Sequence, residues 1–188
     1  MEKRTYCSIR YTNVNMADVN NLVIHVLKWE GGFVNDPDDL GGATNKGVCF
    51  KTYKLYKKRR GLPVPTIGDL IRMTDEEFTD ILKTMYWDAC KADFIENQSV
   101  ANAIVDWAWN SGTGTAVKEV QKVLGVKADG IVGNITLSAI NSQSPLPLFG
   151  KIQQARLSYL ERICKARPAN NKFMRGWCNR VNSLVYEE

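Results

Sequence analysis

Apolar residues recur at intervals of three and four along most of the chain, the spacing of one face of an α-helix. Val19, Leu22, Val23, Val26 and Leu27 form such a stripe and predict a helix over 18–30. Asp18 is its N-cap, and Gly31-Gly32 stops it because glycine takes the left-handed cap conformation. From 33 to 50 the pattern changes. Asn35, Asp36, Pro37, Asp38, Asp39 and Gly41-Gly42 are turn formers with short β-prone pieces between them, so an irregular loop or small hairpin is expected. Thr66 caps a short helix to about Met73. Thr74 followed by Glu77 is a capping-box signature for a helix through Tyr86, with Phe78, Ile81, Leu82 and Met85 facing inward. Helices follow at about 99–110, closed by Ser111-Gly112, and at 115–124, with Gly125 past the end. After a turn at Asp129-Gly130 another helix covers 135–141. Pro145 and Pro147 mark a break before a long helix at 148–166, which Pro168 ends, and a last helix spans 171–186. The fold class is therefore mostly α. The loop after the first helix is the substantial non-helical insertion, and such loops often carry sites.

A chain of 188 residues holds one full domain, or one domain with a small second module. Gly112-Thr-Gly114 is a short joint rather than a flexible linker, which favours one compact body. The net charge of +5 is unevenly distributed. Residues 1–144 carry 17 basic and 17 acidic side chains, whereas 145–188 carry 8 basic against 3 acidic. Such a tail is either attracted to a polyanion or is a solvated helical face. Cys7, Cys49, Cys90, Cys164 and Cys178 are scattered, odd in number and without a CxxC pair, as expected of reduced thiols. No Cys/His cluster has zinc-ligand spacing, so neither a metal nor another cofactor is expected. No run reaches the length of a membrane span, and no apolar stretch of signal-peptide length follows the basic start. Synthesis in the cytoplasm is expected, with release or export by another route.

Elimination narrows the chemistry. His25 is the one histidine; it lies inside the first helix and no nucleophile-elbow motif accompanies it. Walker and dinucleotide-binding glycine patterns are missing, since Gly112-Thr-Gly114 lacks the third glycine. Carboxylates remain. Glu30 sits in the last turn of an apolar helix, where backbone carbonyls oppose a second negative charge, between the apolar Trp29 and Phe33. Both effects raise a carboxyl pKa towards that of a general acid working near neutrality. The plainer alternative is an ordinary surface glutamate. Glycoside hydrolysis usually needs a second carboxylate across the cleft, and Asp36, Asp38 and Asp39 lie six to nine residues on, where each also serves as a turn former. Tyr86, Trp87, Trp107 and Trp109 could stack on sugar faces. Trp107 has the spacing of a core residue, while Trp109 and Asn110 end their helix and suit a cleft.

Trp29-Glu30-Gly31-Gly32-Phe33-Val34-Asn35-Asp36-Pro37, continued by Gly41-Gly42-Ala43-Thr44-Asn45-Lys46-Gly47-Val48, closely resembles the opening motif of the glycosyl hydrolase 108 family, the phage- and prophage-type N-acetylmuramidases. Tyr86-Trp87 and the run from Asp106 to Gly112 resemble its next landmarks. Val120-Gln121, Leu124-Gly125-Val126, the run Asp129 to Gly133 and Thr136-Leu137 resemble the predicted peptidoglycan-binding region that follows in this family. Gly176-Trp177 with Arg180-Val181 fits its closing pattern. The resemblance spans about 18–184. It implies a lysozyme-like helical fold with a catalytic region at 16–112 and a peptidoglycan-binding region at 113–188. It also implies endolysin-like cleavage of the β-1,4 bond between N-acetylmuramic acid and N-acetylglucosamine. The family's catalytic glutamate falls on Glu30. Related phage lysozymes pair such a glutamate with an aspartate nine residues later and a threonine five or six beyond, which ranks Asp39 above Asp36 and adds Thr44 as a holder of water. Asp36, Asn45, Tyr86, Trp109 and Asn110 are then expected to bind substrate. Leu40 stands where many relatives have proline, a difference of loop stiffness. The partner implied is bacterial peptidoglycan, met by a monomer. Two other readings compete: a non-catalytic wall-glycan binder, and a nucleic-acid binder using 145–188, for which no base-reading motif exists.

Overall fold

The computed structural model describes residues 16–29, 31–35 and 42–188. Within them the chain forms nine α-helices and one two-stranded sheet, a mostly α, lysozyme-like fold. The helices are α1 (Val19–Trp29), α2 (Phe50–Arg59), α3 (Ile67–Ile71), α4 (Asp75–Leu82), α5 (Gln98–Ser111), α6 (Thr113–Leu124), α7 (Asn134–Asn141), α8 (Pro145–Ala166) and α9 (Asn171–Ser183). Strands β1 (Thr44–Asn45) and β2 (Val48–Cys49) lie between α1 and α2.

The expected loop thus contains a hairpin. Thr44 pairs with Cys49 and Asn45 with Val48, and the two residues between, Lys46 and Gly47, both have positive φ. That is the requirement of the tight turn whose twist matches antiparallel strands, and glycine at 47 meets it without strain. Val34 and Thr44 exchange two backbone hydrogen bonds of 2.8 Å, so the segment after α1 is tied to the outer side of β1.

Over 51–65 the apolar pattern names no element, yet α2 covers most of that stretch, to Arg59. This helix presents just Tyr53 and Tyr56 to the interior, too narrow a stripe for periodicity to register. It ends in a Schellman turn: Leu62 N–H donates to the Lys57 carbonyl (2.9 Å) and Gly61 N–H to that of Lys58 (3.1 Å), with Gly61 left-handed. The break expected at Pro145 is instead the first turn of α8, where proline lacks a donor that the helix would leave unpaired anyway. The Thr74–Glu77 capping box is half formed. Thr74 accepts from the Glu77 N–H, but the Glu77 carboxylate accepts from the Tyr53 hydroxyl and pairs with Lys57. The full reciprocal box belongs to Thr66 and Asp69. The helix expected through Tyr86 stops being α at Leu82 and continues as a π-turn, Lys83–Trp87, closed by Asp88 N–H donating to the Lys83 carbonyl at 2.9 Å. The last helix ends at Ser183, not 186.

Burial is nearly continuous from Ser99 to Ala108, which makes α5 the central helix. It packs against α1, α6, α8 and the π-turn. Trp107 is fully buried against Tyr159 of α8, as its spacing predicts. Inside α5 lies Asp106, with no exposed surface. Its carboxylate accepts from Arg156 Nη1 of α8 (2.8 Å) and from Arg180 Nη2 of α9 (2.8 Å). Two of the eight basic residues of the C-terminal stretch are therefore internal. Cys49, Cys90, Cys164 and Cys178 are free thiols, and burial pushes Cys90 up to about 12, so it stays protonated. Among the described residues no helix is long and apolar enough to cross a membrane.

Candidate active site

Helices α1 and α5 lie side by side and run in the same direction. At their starts, Gln98 clasps Asp18, accepting from its N–H (2.7 Å) and donating to its carbonyl (3.0 Å), while the Asp18 carboxylate caps α1 through Asn20 N–H (2.9 Å). Two turns further along, His25 lies within electrostatic reach of Asp106, Arg180 and Arg156. The C-terminal ends of both helices consequently share one end of the molecule. One carries Trp29, which precedes Glu30, and the other carries Trp109, Asn110 and Ser111. Burial lowers the His25 pKa; Asp106 opposes the shift and the two arginines reinforce it. The ring is neutral at pH 7, the state suited to a half-buried position at the core edge.

The hairpin is linked to that same end by a series of contacts. Thr44 and Cys49 are cross-strand partners with side chains on one face of the sheet. Cys49 Sγ and Thr52 Oγ1 share a hydrogen bond of 3.3 Å. The Tyr86 hydroxyl meets Thr52. The Tyr86 ring lies 4.8 Å from that of Trp109, which also meets Phe78 edge-on at 5.4 Å. Thr44, Tyr86, Trp109 and Asn110, drawn from three separate elements of the sequence, thus belong to one connected set. The π-turn matters here: one extra residue in the turn sets the direction in which Tyr86 leaves the helix, and such turns are frequent at sites. Burial raises the Tyr86 pKa, and Thr52 only partly opposes this, so its hydroxyl remains a neutral hydrogen-bonding group.

Thr44 and Asn110 each keep acceptor capacity. Thr44 Oγ1 donates to the Gly42 carbonyl (3.2 Å), leaving its lone pairs to accept from water or substrate. Asn110 Nδ2 donates back to the Asp106 carbonyl (2.7 Å), leaving its exposed oxygen as an acceptor. Asn45 differs. It is 6% exposed, and its Nδ2 donates to the carbonyls of Leu70 (2.8 Å) and Ile71 (3.2 Å), so this amide fastens the hairpin to α3. The expected carboxylates Glu30, Asp36 and Asp39, and Asp38 with them, lie outside the described residues.

Beside Asn110 and Ser111 opens a cleft of about 330 Å³ between α5, α8 and α9, walled by Tyr159 and Trp177 and floored by Arg156 and Arg180. The sequence pattern did not nominate Tyr159 or Arg156 for a site, because tertiary packing alone joins them to α5. One signal was present, however. An aspartate in the middle of an apolar helix, such as Asp106, requires a cationic partner from elsewhere in the chain. Aromatic faces, amide and hydroxyl acceptors and buried guanidiniums along one cleft suit a polar polymer with apolar ring faces, that is, a glycan.

A mostly helical fold with polar and aromatic side chains gathered where α1 and α5 end is of the lysozyme-like class. Comparison with known proteins agrees. Residues 23–112 match the family described as Glycosyl hydrolase 108, and 115–182 match the one described as Predicted Peptidoglycan domain. Among solved structures the chain is similar to SagA of Brucella abortus, with a TM-score of 0.74 and 32% sequence identity over 88% of this chain and 90% of that one. No curated protein matches. The chain belongs to the glycosyl hydrolase 108 family and is a glycoside hydrolase of peptidoglycan.

Proposed function

We propose that the protein is an N-acetylmuramidase that cleaves the β-1,4 bond between N-acetylmuramic acid and N-acetylglucosamine, with Glu30 as the general acid. The observation that carries this reading is the convergence of the C-terminal ends of α1 and α5 with the Thr44 face of the hairpin, because Glu30 follows α1 directly. At that helix end the backbone carbonyls favour a protonated carboxyl, and the half-exposed Trp29 and Phe33 flank it in sequence with apolar surface. Glu30 gives its proton to the glycosidic oxygen as the bond breaks. Asp39 stabilises the oxocarbenium-like sugar or orients the attacking water, and Thr44 accepts a hydrogen bond from that water. Tyr86 and Trp109 carry sugar faces, Asn110 accepts from a sugar hydroxyl, and Asp36 contacts the glycan beside Asp39. Residues 16–112 carry out the chemistry, and 113–188 hold the wall polymer against them.

The test is Glu30→Gln against the unaltered protein on isolated peptidoglycan, with mass analysis of the released fragments. Turnover is expected to fall by at least about a hundredfold with the thermal midpoint retained. Reducing-end muramic acid is the expected product. Reducing-end glucosamine, or released peptides, would overturn the bond assignment, and undiminished turnover would overturn the role of Glu30.

A further inference from the structure

A strongly uneven surface lies on the outward side of α2 and the turn that follows it. Lys51, Lys54, Lys57, Lys58, Arg59 and Arg60 fall within ten residues, and no acidic residue occurs between 50 and 68. The helix sorts these charges. Tyr53 and Tyr56 face the core, and beside them Lys57 pairs with Glu77 and Arg60 with Asp80, both acids of α4. On the opposite side Lys51, Leu55 and Lys58 follow at helical spacing, flanked by Lys54 and Arg59, and all five are exposed. Among the described residues none of these four cations forms an ion pair. Lys54 lies over the Phe50 ring at 4.9 Å, and Arg59 reaches Met85 Sδ at 3.3 Å, contacts that leave both charges unneutralised.

The apolar neighbours of this charge are as unusual as the charge itself. The Schellman turn at Gly61 sends Leu62-Pro63-Val64 outward; Leu62 is half exposed and Val64 is 86% exposed. Ile67 and Ile71, four residues apart on α3, add two more large apolar side chains open to water. A soluble polyanion would satisfy the lysines and leave this apolar set in water. A bilayer surface of anionic phospholipid satisfies both, with phosphates for the cations and the headgroup–acyl boundary for the apolar side chains.

We infer that the outward face of α2, with the Leu62–Val64 turn, docks the protein on anionic phospholipid membrane through Lys51, Lys54, Lys58 and Arg59 and the exposed apolar side chains beside them. The docking is peripheral: charge brings the helix to the surface, and the turn enters the boundary.

The experiment is sedimentation of the full chain with vesicles of equal phosphatidylglycerol and phosphatidylcholine, against vesicles of phosphatidylcholine alone. Binding to the anionic vesicles is expected to be at least about tenfold tighter and to weaken as salt rises. Lys54→Glu with Lys58→Glu loses at least about tenfold in affinity. Leu62→Ser with Val64→Ser loses about tenfold with an unchanged salt dependence. All four substitutions are on the surface, so the thermal midpoint and peptidoglycan turnover in solution stay the same, which separates this test from that of the muramidase reading. Equal binding to neutral vesicles overturns the proposal. So does a Leu62→Ser/Val64→Ser protein that binds the anionic vesicles as tightly as the unaltered chain, since the surface is then a polyanion site.

Discussion

Asp80 and Asp106 each hold arginine, and their surroundings make the two arrangements physically different. Asp80, on α4, accepts from Arg60 and from the Tyr56 hydroxyl (2.6 Å) at the surface. Asp106, on α5, accepts from Arg156 and Arg180 with no exposed surface at all. In both cases burial works against ionisation and the arginine contacts outweigh it, holding the carboxyl below the usual range. Around Asp80, water stands ready to replace either partner, and the pair decides little. Around Asp106 no water can take over, so α8 and α9 are held to α5 by a contact whose partial loss leaves a bare charge in the core. The second arrangement joins the segment matching the glycosyl hydrolase family to the segment matching the peptidoglycan domain.

The sharpest way to break the contrast is Asp106→Ala, which takes the buried carboxylate away from Arg156 and Arg180 and is expected to cost about 3–5 kcal/mol in urea unfolding. Replacing Asp106 and Arg156 together by apolar residues of similar volume should recover part of that loss, which would show that unbalanced buried charge, not only the missing contact, destabilises. An unchanged midpoint for the single variant would remove the distinction between the two sites. A titration comes next in size. Because the Asp106 pKa is depressed in the folded protein, its stabilisation is complete above the ordinary carboxylate pKa of about 3.9 and is lost as pH falls through the lower folded value. Unfolding midpoints followed downward from neutrality should therefore drop below about pH 4, and the drop should be shallower in Asp106→Asn. Asn45→Ala, which leaves two carbonyls on α3 without their donor, is expected to cost about 1–2 kcal/mol and to loosen the hairpin in hydrogen exchange. Smallest of all is Arg60→Ala, for which no measurable shift in the thermal midpoint is expected.

The parts of the fold legible in the sequence are those whose burial follows a single stripe. The stripe of Leu22 and Val26 marks α1. Near-continuous apolar sequence marks α5, and Gly125 closes α6 where expected. Helix α2 escaped because long cationic side chains dominate it, and its two inward tyrosines sit just three apart. The hairpin turn was half legible in Gly47, but nothing local marks Lys46 for a left-handed conformation. At the candidate site, Tyr86, Trp109 and Asn110 could be nominated from the residues and Thr44 from the family resemblance, yet their connection runs through Thr52 and Cys49, which carry no motif. Asn45 has a structural part that its place beside Thr44 does not reveal: its amide donates to the carbonyls of α3.

The π-turn at Lys83–Trp87 has a consequence for how this enzyme tolerates change. Its extra residue is braced by Lys83 pairing with both Asp88 and Asp93, and by Trp87 Nε1 donating to Asp93 Oδ1 at 2.7 Å. Deleting one residue would restore regular winding and swing each following side chain by about 100° around the axis, carrying Tyr86 off Trp109. Along this short stretch the identities of the outer residues can drift, whereas a gain or loss of a single codon cannot be absorbed.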